Sequence, residues 1–304
     1  MSISLDHLDE DVREIAQLDA EARVEYINER SLWIGHPDAK RAEASLLEVV
    51  RPSKARKHAA LIGPPGSGKT LTIRDVFGIS DLVIGSPPWQ GVLNIQMPHE
   101  PDEEEFLENT AEALGGRRAY IPYNLRYLRM LRNTVWMRIK TLQPRIVIIE
   151  DLQLAGVGTD RNQRKFVQLI RTLVIKSKAS LIVTGTRDAL NILQLDEQLY
   201  NRTVEIPLDP LNSEQTIKAI ARAAIRMLPL RRPSPLDDVR IGRILMTLSG
   251  GNMGRLIDGI KGAAIDAVDT GTEMVSFEGL RDSSGWPRLL RSRHLHSIAS
   301  AANV

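Results

Sequence analysis

The chain has 304 residues, with 40 Lys and Arg against 38 Asp and Glu, a formal net charge of +2 and a pI near 8.9. It has no cysteine, which excludes disulfides, thiolate metal sites and cysteine nucleophiles and suits a reducing compartment. No apolar run approaches the roughly 20 residues needed to cross a bilayer, and the acidic N-terminus lacks the apolar region of a signal peptide. A cytoplasmic protein with no membrane partner is therefore expected. Charge so nearly balanced neither demands nor excludes a nucleic-acid partner; its distribution has to decide.

In chain order, residues 8–30 read as a charged helix with Ile15, Leu18, Val24 and Ile27 as buried positions. A turn at 31–38 separates it from a second helix at 38–50. Strands are expected at 59–62, 91–96, 145–149, 180–184 and 203–206. They are short, rich in β-branched residues and almost continuously apolar, as in a parallel sheet covered on both faces. Helices at 71–77, 102–114, 124–141 and 161–177 lie between them. This alternation predicts an α/β class with right-handed crossovers. After Pro210 the pattern turns helical, at 213–228, 236–248 and 254–268, and ends in a loosely structured basic tail. The expected division is 1–40, an N-terminal helical segment and turn; 41–211, a nucleotide-binding core; 212–275, a helical lid; and 276–304, the tail.

Gly63 to Thr70 fit G-x-x-x-x-G-K-[ST] at every fixed position, after an apolar strand and before a helix. This is a phosphate-binding loop made by Gly63, Pro64, Pro65, Gly66, Ser67, Gly68, Lys69 and Thr70, with Leu71 opening the helix behind it. Glycines let backbone N–H groups turn inward around phosphates. Lys69 supplies a charge for the β- and γ-phosphates of ATP, and the Thr70 hydroxyl a ligand for Mg²⁺.

Such a loop needs a carboxylate at the end of a neighbouring strand. Ile146-Val-Ile-Ile-Glu150-Asp151 supplies two. In one register Glu150 takes the metal side and Asp151 polarises the attacking water; a slip by one residue puts Asp151 on the metal. Strand 180–184 runs into Thr184-Gly185-Thr186, where a hydroxyl can meet the γ-phosphate or its water.

Charge is segregated in the middle of the chain. Seven acids lie between Glu100 and Glu112, and no Asp or Glu follows until Glu150. That span carries Arg117, Arg118, Arg126, Arg129, Arg132, Arg138, Lys140 and Arg145. On the helix at 124–141, Leu125, Leu128, Leu131, Val135 and Ile139 should be core, with Arg126, Arg129 and Arg132 along a more exposed stripe. Phosphate neutralisation by Arg117, Arg118 and Arg126 is one reading. A solvated face, or pairing with a neighbouring subunit's acidic helix, is the other. A second basic cluster lies at 288–294.

Together these segments resemble the TniB/TnsC-type transposition ATPases of the AAA+ class, near the IstB and initiator-type proteins. Arg30-Ser-Leu-Trp33-Ile34-Gly35-His36-Pro37 resembles a Trp-Ile-Gly-Tyr-Pro stretch of that family, with His for Tyr. Glu150 to Gly156 resembles an Asp-Glu-Ile-His…Gly segment with its acids reversed. Asp196 to Arg202 resembles the segment with the arginine finger, Leu228 to Leu236 a lid stretch, and Gly250 to Leu256 a sensor-2 region. The resemblance implies a five-stranded parallel sheet with a C-terminal helical lid and ATP at a subunit interface. It implies Thr186 as the sensor-1 residue, Arg202 as a finger acting in trans and Arg255 near the γ-phosphate. Trp33, Ile34 and His36 would lie on the adenine side, although core packing is an equal reading for Trp33. It further implies an ATP-dependent homo-oligomer or filament on double-stranded DNA, with a DDE transposase and a TniQ-type targeting protein as partners. A helicase-loader or replication-initiation ATPase, or an ATP-binding switch with little hydrolysis, are the rival functions.

Overall fold

The computed structural model describes residues 4–51, 57–79, 91–116 and 125–287. The chain divides into two units, Pro37–Asp209 and Met1–His36 together with Pro210–Val304. Arg117, Arg118 and the basic cluster at 288–294 lie outside the described residues.

The N-terminal stretch is not one helix. It forms α1 (Glu10–Arg13), a 3₁₀ turn at Ile15–Gln17 and α2 (Ala20–Glu29). Leu18 is extended, and Asp19 caps α2 by accepting from the Ala22 N–H at 2.9 Å. The break moves the buried face: Leu8, Val12 and Ala16 are inside and Leu18 is exposed, while Ile27 is buried as expected. A cap that satisfies an otherwise orphaned N–H outweighs continued helix here.

The second unit begins with α3 (Pro37–Val50) and β1 (His58–Ile62), followed by α4 (Lys69–Phe77) and β2 (Val92–Gln96). Next come α5 (Glu103–Ala113), α6 (Leu125–Leu142) and β3 (Ile146–Glu150). It closes with α7 (Asp160–Ser177), β4 (Ser180–Gly185), α8 (Asp188–Leu193), α9 (Glu197–Tyr200) and β5 (Thr203–Pro207). The strands form one five-stranded sheet in the order β2-β3-β4-β1-β5, and every pair is parallel.

The pleat sends alternate residues to two cores. Ala60, Ile62, Leu93, Ile95, Val147, Ile149, Leu181 and Val183 face Phe106, Leu131, Val135 and Phe166 of α5, α6 and α7. Ala59, Leu61, Ile148, Ile182 and Ile206 face Leu46 of α3 and Ile73 of α4. Burial on both sides is why the inner strands β1, β3 and β4 read as unbroken apolar runs. On α6 the buried positions are Tyr127, Leu131, Val135 and Ile139, with Leu128 partly covered. Leu125, expected in the core, is 65% exposed. It is the first residue of α6, and the buried stripe starts two residues later, at Tyr127, whose hydroxyl donates to Glu108 at 2.9 Å.

The helical unit continues with α10 (Glu214–Arg226), α11 (Arg240–Ser249), α12 (Met253–Asp269) and α13 (Phe277–Asp282). Its core joins Ile27, Leu32 and Ile34 from the N-terminal stretch to Ile217, Leu245 and Ile260. Gly259 on α12 opens a notch for Trp286: a Cβ there would lie 2.3 Å from the indole ring.

One ion pair ties α2 to the loop after α12. The Arg23 guanidinium, 2% exposed, donates twice to Glu273 at 2.6 and 2.8 Å and once to the Pro229 carbonyl at 3.1 Å. Burial alone would raise the Glu273 carboxyl, but hydrogen bonds and charge from Arg23 and Arg231 outweigh it and hold it below its ordinary value. A carboxylate depressed in the folded state stabilises the fold above its unfolded value and loses that contribution as pH falls through the folded one. The helical unit should therefore begin to weaken as pH drops past the ordinary glutamate value of 4.5. Glu273→Gln should flatten that acid limb and cost about 3 kcal/mol by leaving Arg23 buried with an incomplete partner. Denaturation and amide-exchange protection of α2 and α12 across pH check both effects.

Candidate functional site

The phosphate-binding loop springs from β1, between β4 and β5, and is pinned to the end of β4: the Gly63 N–H donates to the Gly185 carbonyl at 3.0 Å. Gly66 and Gly68 have φ of 76° and 90°, which admit a turn with backbone N–H groups inward. A Cβ on Gly63 would come within 2.4 Å of the Leu208 carbonyl oxygen, so no larger residue fits there. Gly68 is the N-cap of α4, whose N-terminus lies against the loop. Pro65 and Gly66 are exposed, Ser67 is buried, and Pro64, Lys69, Thr70 and Leu71 are intermediate.

Lys69 folds onto its own loop. Its Nζ donates to the Gly63 and Pro64 carbonyls at 2.8 and 2.9 Å, with the Ser67 hydroxyl at 3.5 Å. Burial lowers the Lys69 ammonium from its ordinary value, and the charge of Asp151 acts against that shift.

Glu150 ends β3 and is 6% exposed. One carboxylate oxygen accepts from the Thr70 hydroxyl at 2.9 Å, the other from the Asn94 amide on β2 at 2.9 Å. The structure thus brings Glu150 to the loop's hydroxyl. Asp151 follows in the left-handed region, at φ 59° and ψ 44°, a conformation that Asp tolerates better than most residues. Its carboxylate accepts from Gln96 at 3.2 Å and from Gln153 at 3.0 Å. Thr184 on β4 and Thr186 just beyond its end differ. Thr184 accepts from the Asp151 N–H at 3.3 Å, while the buried Thr186 hydroxyl has no partner among the described residues.

Asn94, Gln96 and Gln153 escaped the sequence reading. The available signal was two polar residues at i and i+2 near the end of a strand otherwise fit for burial on both faces.

Arg202 is exposed and precedes β5. Because β5 runs parallel to β1, with Thr203 opposite His58 and Pro207 opposite Ile62, Arg202 lies at the end of the sheet away from its own phosphate loop. Five strand residues separate the two ends, about 16 Å. Its side chain has no hydrogen-bond or ion-pair partner among the described residues.

Trp33, Ile34 and His36 belong to the helical unit, where Ile34 is part of the core and Trp33 is half-buried. Arg255 is exposed in the first turn of α12, its N–H capped by Asn252 at 3.0 Å.

The basic span is partly used within the chain. Arg132 pairs with Glu103 of α5, and Arg138 donates to the Leu114 carbonyl at 2.9 Å. The Arg132–Glu103 pair is intramolecular, so that contact does not wait for a neighbouring subunit. Arg126 and Arg129 are exposed and unpaired among the described residues, as are Arg161, Arg164 and Lys165 in the first turns of α7. Among the described residues no helix is long and apolar enough to cross a membrane.

Comparison with known proteins agrees with this architecture. Residues 23–213 match the family described as "Bacterial TniB protein". No curated protein sequence matches. Among solved structures, the Orc1 protein of Aeropyrum pernix, solved in complex with DNA, is similar with a TM-score of 0.60 at 17% identity, over 81% of this chain and 64% of that one. Cdc6p from Pyrobaculum aerophilum gives 0.58 at 16%, over 83% and 67% of the two chains. The Walker-type ATPase paby2304 of Pyrococcus abyssi gives 0.53 at 17%, over 80% and 70%. This chain therefore spans about two thirds of each of those structures. With its five-stranded parallel sheet, its phosphate loop after β1 and its acid pair at the end of β3, the chain belongs to the TniB family.

Proposed function

We propose that this protein is a Mg²⁺-dependent ATPase that oligomerises on double-stranded DNA and regulates transposition. Its partners would be a DDE transposase, which it recruits or activates, and a TniQ-type targeting protein. The observation that carries the ATPase reading is the bond from the Thr70 hydroxyl to Glu150, which joins the phosphate loop to the carboxylate of the neighbouring strand.

The residues present fit the group. The Gly63–Thr70 backbone would hold the phosphates, and Lys69 would exchange the loop's own carbonyls for phosphate oxygens. Thr70 and Glu150 would hold Mg²⁺. The ion would supply positive charge that neutralises charge developing on the phosphate oxygens. Asp151 would orient the attacking water and receive its proton. The unpartnered Thr186 hydroxyl would complete its hydrogen bonding on the γ-phosphate or that water, since buried polar groups seldom stay unpaired. Membership of the TniB family supports the transposition role, and the Orc1 structure solved with DNA supports the DNA role.

Lys69→Ala should weaken ATP affinity by about tenfold or more and abolish ATP-dependent assembly. Asp151→Asn should bind ATP and assemble but hydrolyse about a hundredfold more slowly, whereas Glu150→Gln should mainly lose Mg²⁺-dependent binding. Nucleotide titration and turnover assays read these effects; interchanged phenotypes for the two acids would mean the opposite assignment of roles.

Arg202 lies too far from its own loop to serve it, which favours action on a neighbouring copy's γ-phosphate. Mixing Arg202→Ala with Asp151→Asn subunits should restore hydrolysis at mixed interfaces. No recovery, with normal turnover by Arg202→Ala alone, would place the finger elsewhere, with Arg255 next to test.

For DNA, replacing Arg126 and Arg129 should weaken duplex binding equally for all sequences. Each lost phosphate contact should lower the log–log salt slope by about one unit. An unchanged slope would move the DNA-facing surface to Arg117 and Arg118, to the start of α7 or to the tail at 288–294.

A further inference from the structure

We propose that Gln153 is a positioning residue for hydrolysis, which couples the Asp151 carboxylate to the end of β4. The inference rests on the ATPase reading above. Gln153 sits in the 3₁₀ turn Leu152–Gly156 that follows the acid pair. Its Nε2 donates to Asp151 Oδ1 at 3.0 Å, and its Oε1 accepts from the Thr186 N–H at 3.2 Å. A flipped amide would set donor against donor at Thr186 and oxygen against oxygen at Asp151, so the two partners fix its orientation.

The space for this bridge is built into the chain. A Cβ on Gly185 would lie 2.5 Å from Gln153 Oε1 and 2.7 Å from Ala189 Cβ. The Asp151 end is equally constrained: its N–H is held by Thr184, and Gln96 donates to its other carboxylate oxygen at 3.2 Å. Asp is one methylene shorter than Glu and has less freedom to search for a water, so its placement must come from its surroundings. A small displacement of a reacting group lowers rate strongly. Gln153 is the side chain that touches both Asp151 and the backbone of Thr186, so a shift of Thr186 on meeting phosphate moves Asp151 with it.

Gln153→Met keeps the length and removes both hydrogen bonds. In the full-length protein with ATP and duplex DNA, kcat should fall about tenfold, as expected for losing one hydrogen bond to a charged group. The KM for ATP and the affinity for a non-hydrolysable analogue should not change. Amide exchange at Thr186 should accelerate. In an Asp151→Asn background the same substitution should cause no further loss of kcat, because it acts through that carboxylate. Gln153→Glu keeps the acceptor for Thr186 but meets Asp151 with like charge, and should slow turnover at least as much. Gly185→Ala displaces Gln153 without altering it and should reproduce the fall.

An unchanged or raised kcat in Gln153→Met overturns the proposal, and so does an equal fall with and without Asp151. If Asp151→Asn itself turns over at the wild-type rate, the reading of the acid pair fails instead. That result is told apart by the Asp151 variant alone.

Discussion

A carboxylate placed inside a protein is costly unless each of its oxygens finds a donor. Glu150 imposes that constraint here. One oxygen takes the Thr70 hydroxyl and the other the Asn94 amide, so the first turn of α4, the end of β3 and the edge strand β2 must arrive at one point. The strand order makes this possible. β1 lies between β4 and β5, which puts its phosphate loop where successive strands lead away in opposite directions, and ligands gather at such a switch point in open parallel sheets. The parallel register then fixes Arg202 at the far end of the same sheet, away from that loop.

The helical unit meets a related problem in a different way. Arg23 is a full charge on the buried side of α2, and it is neutralised by a residue 250 positions later rather than by a local partner. Arg231 adds backbone and side-chain bonds to Glu273, Ala16 and Leu18. The N-terminal helices are thereby built into the C-terminal ones by hydrogen bonds that have few geometric alternatives, where apolar contacts alone would allow sliding.

Elements set by local rules were legible in the sequence. All five strands fall within a residue or so of their expected bounds; for the inner strands β1, β3 and β4, burial on both faces writes one apolar run per strand. The phosphate loop was legible because a tight anion-binding turn needs glycines at fixed places. What escaped is set by competing local signals or by partners distant in sequence. The break at Leu18 follows from a cap at Asp19 competing with helical periodicity. The exposure of Leu125 follows from where α6 begins relative to the sheet. Asn94, Gln96 and Gln153 are polar residues whose task appears only when β2, β3 and β4 are aligned. Arg132 looked free because its acidic partner, Glu103, lies on another helix.

The left-handed backbone at Asp151 bears on the reversed order of the acid pair. At φ 59° a short side chain that bonds its own neighbourhood is tolerated, whereas a longer acid gains no such local support. The identity of the second acid is therefore tied to the path of the main chain as well as to the chemistry required of it. Exchanging the two residues would not simply swap their functions. It would set Glu where the turn favours Asp, and it would shorten the arm that reaches Thr70 and Asn94. Acid order and turn conformation are thus coupled through the main chain.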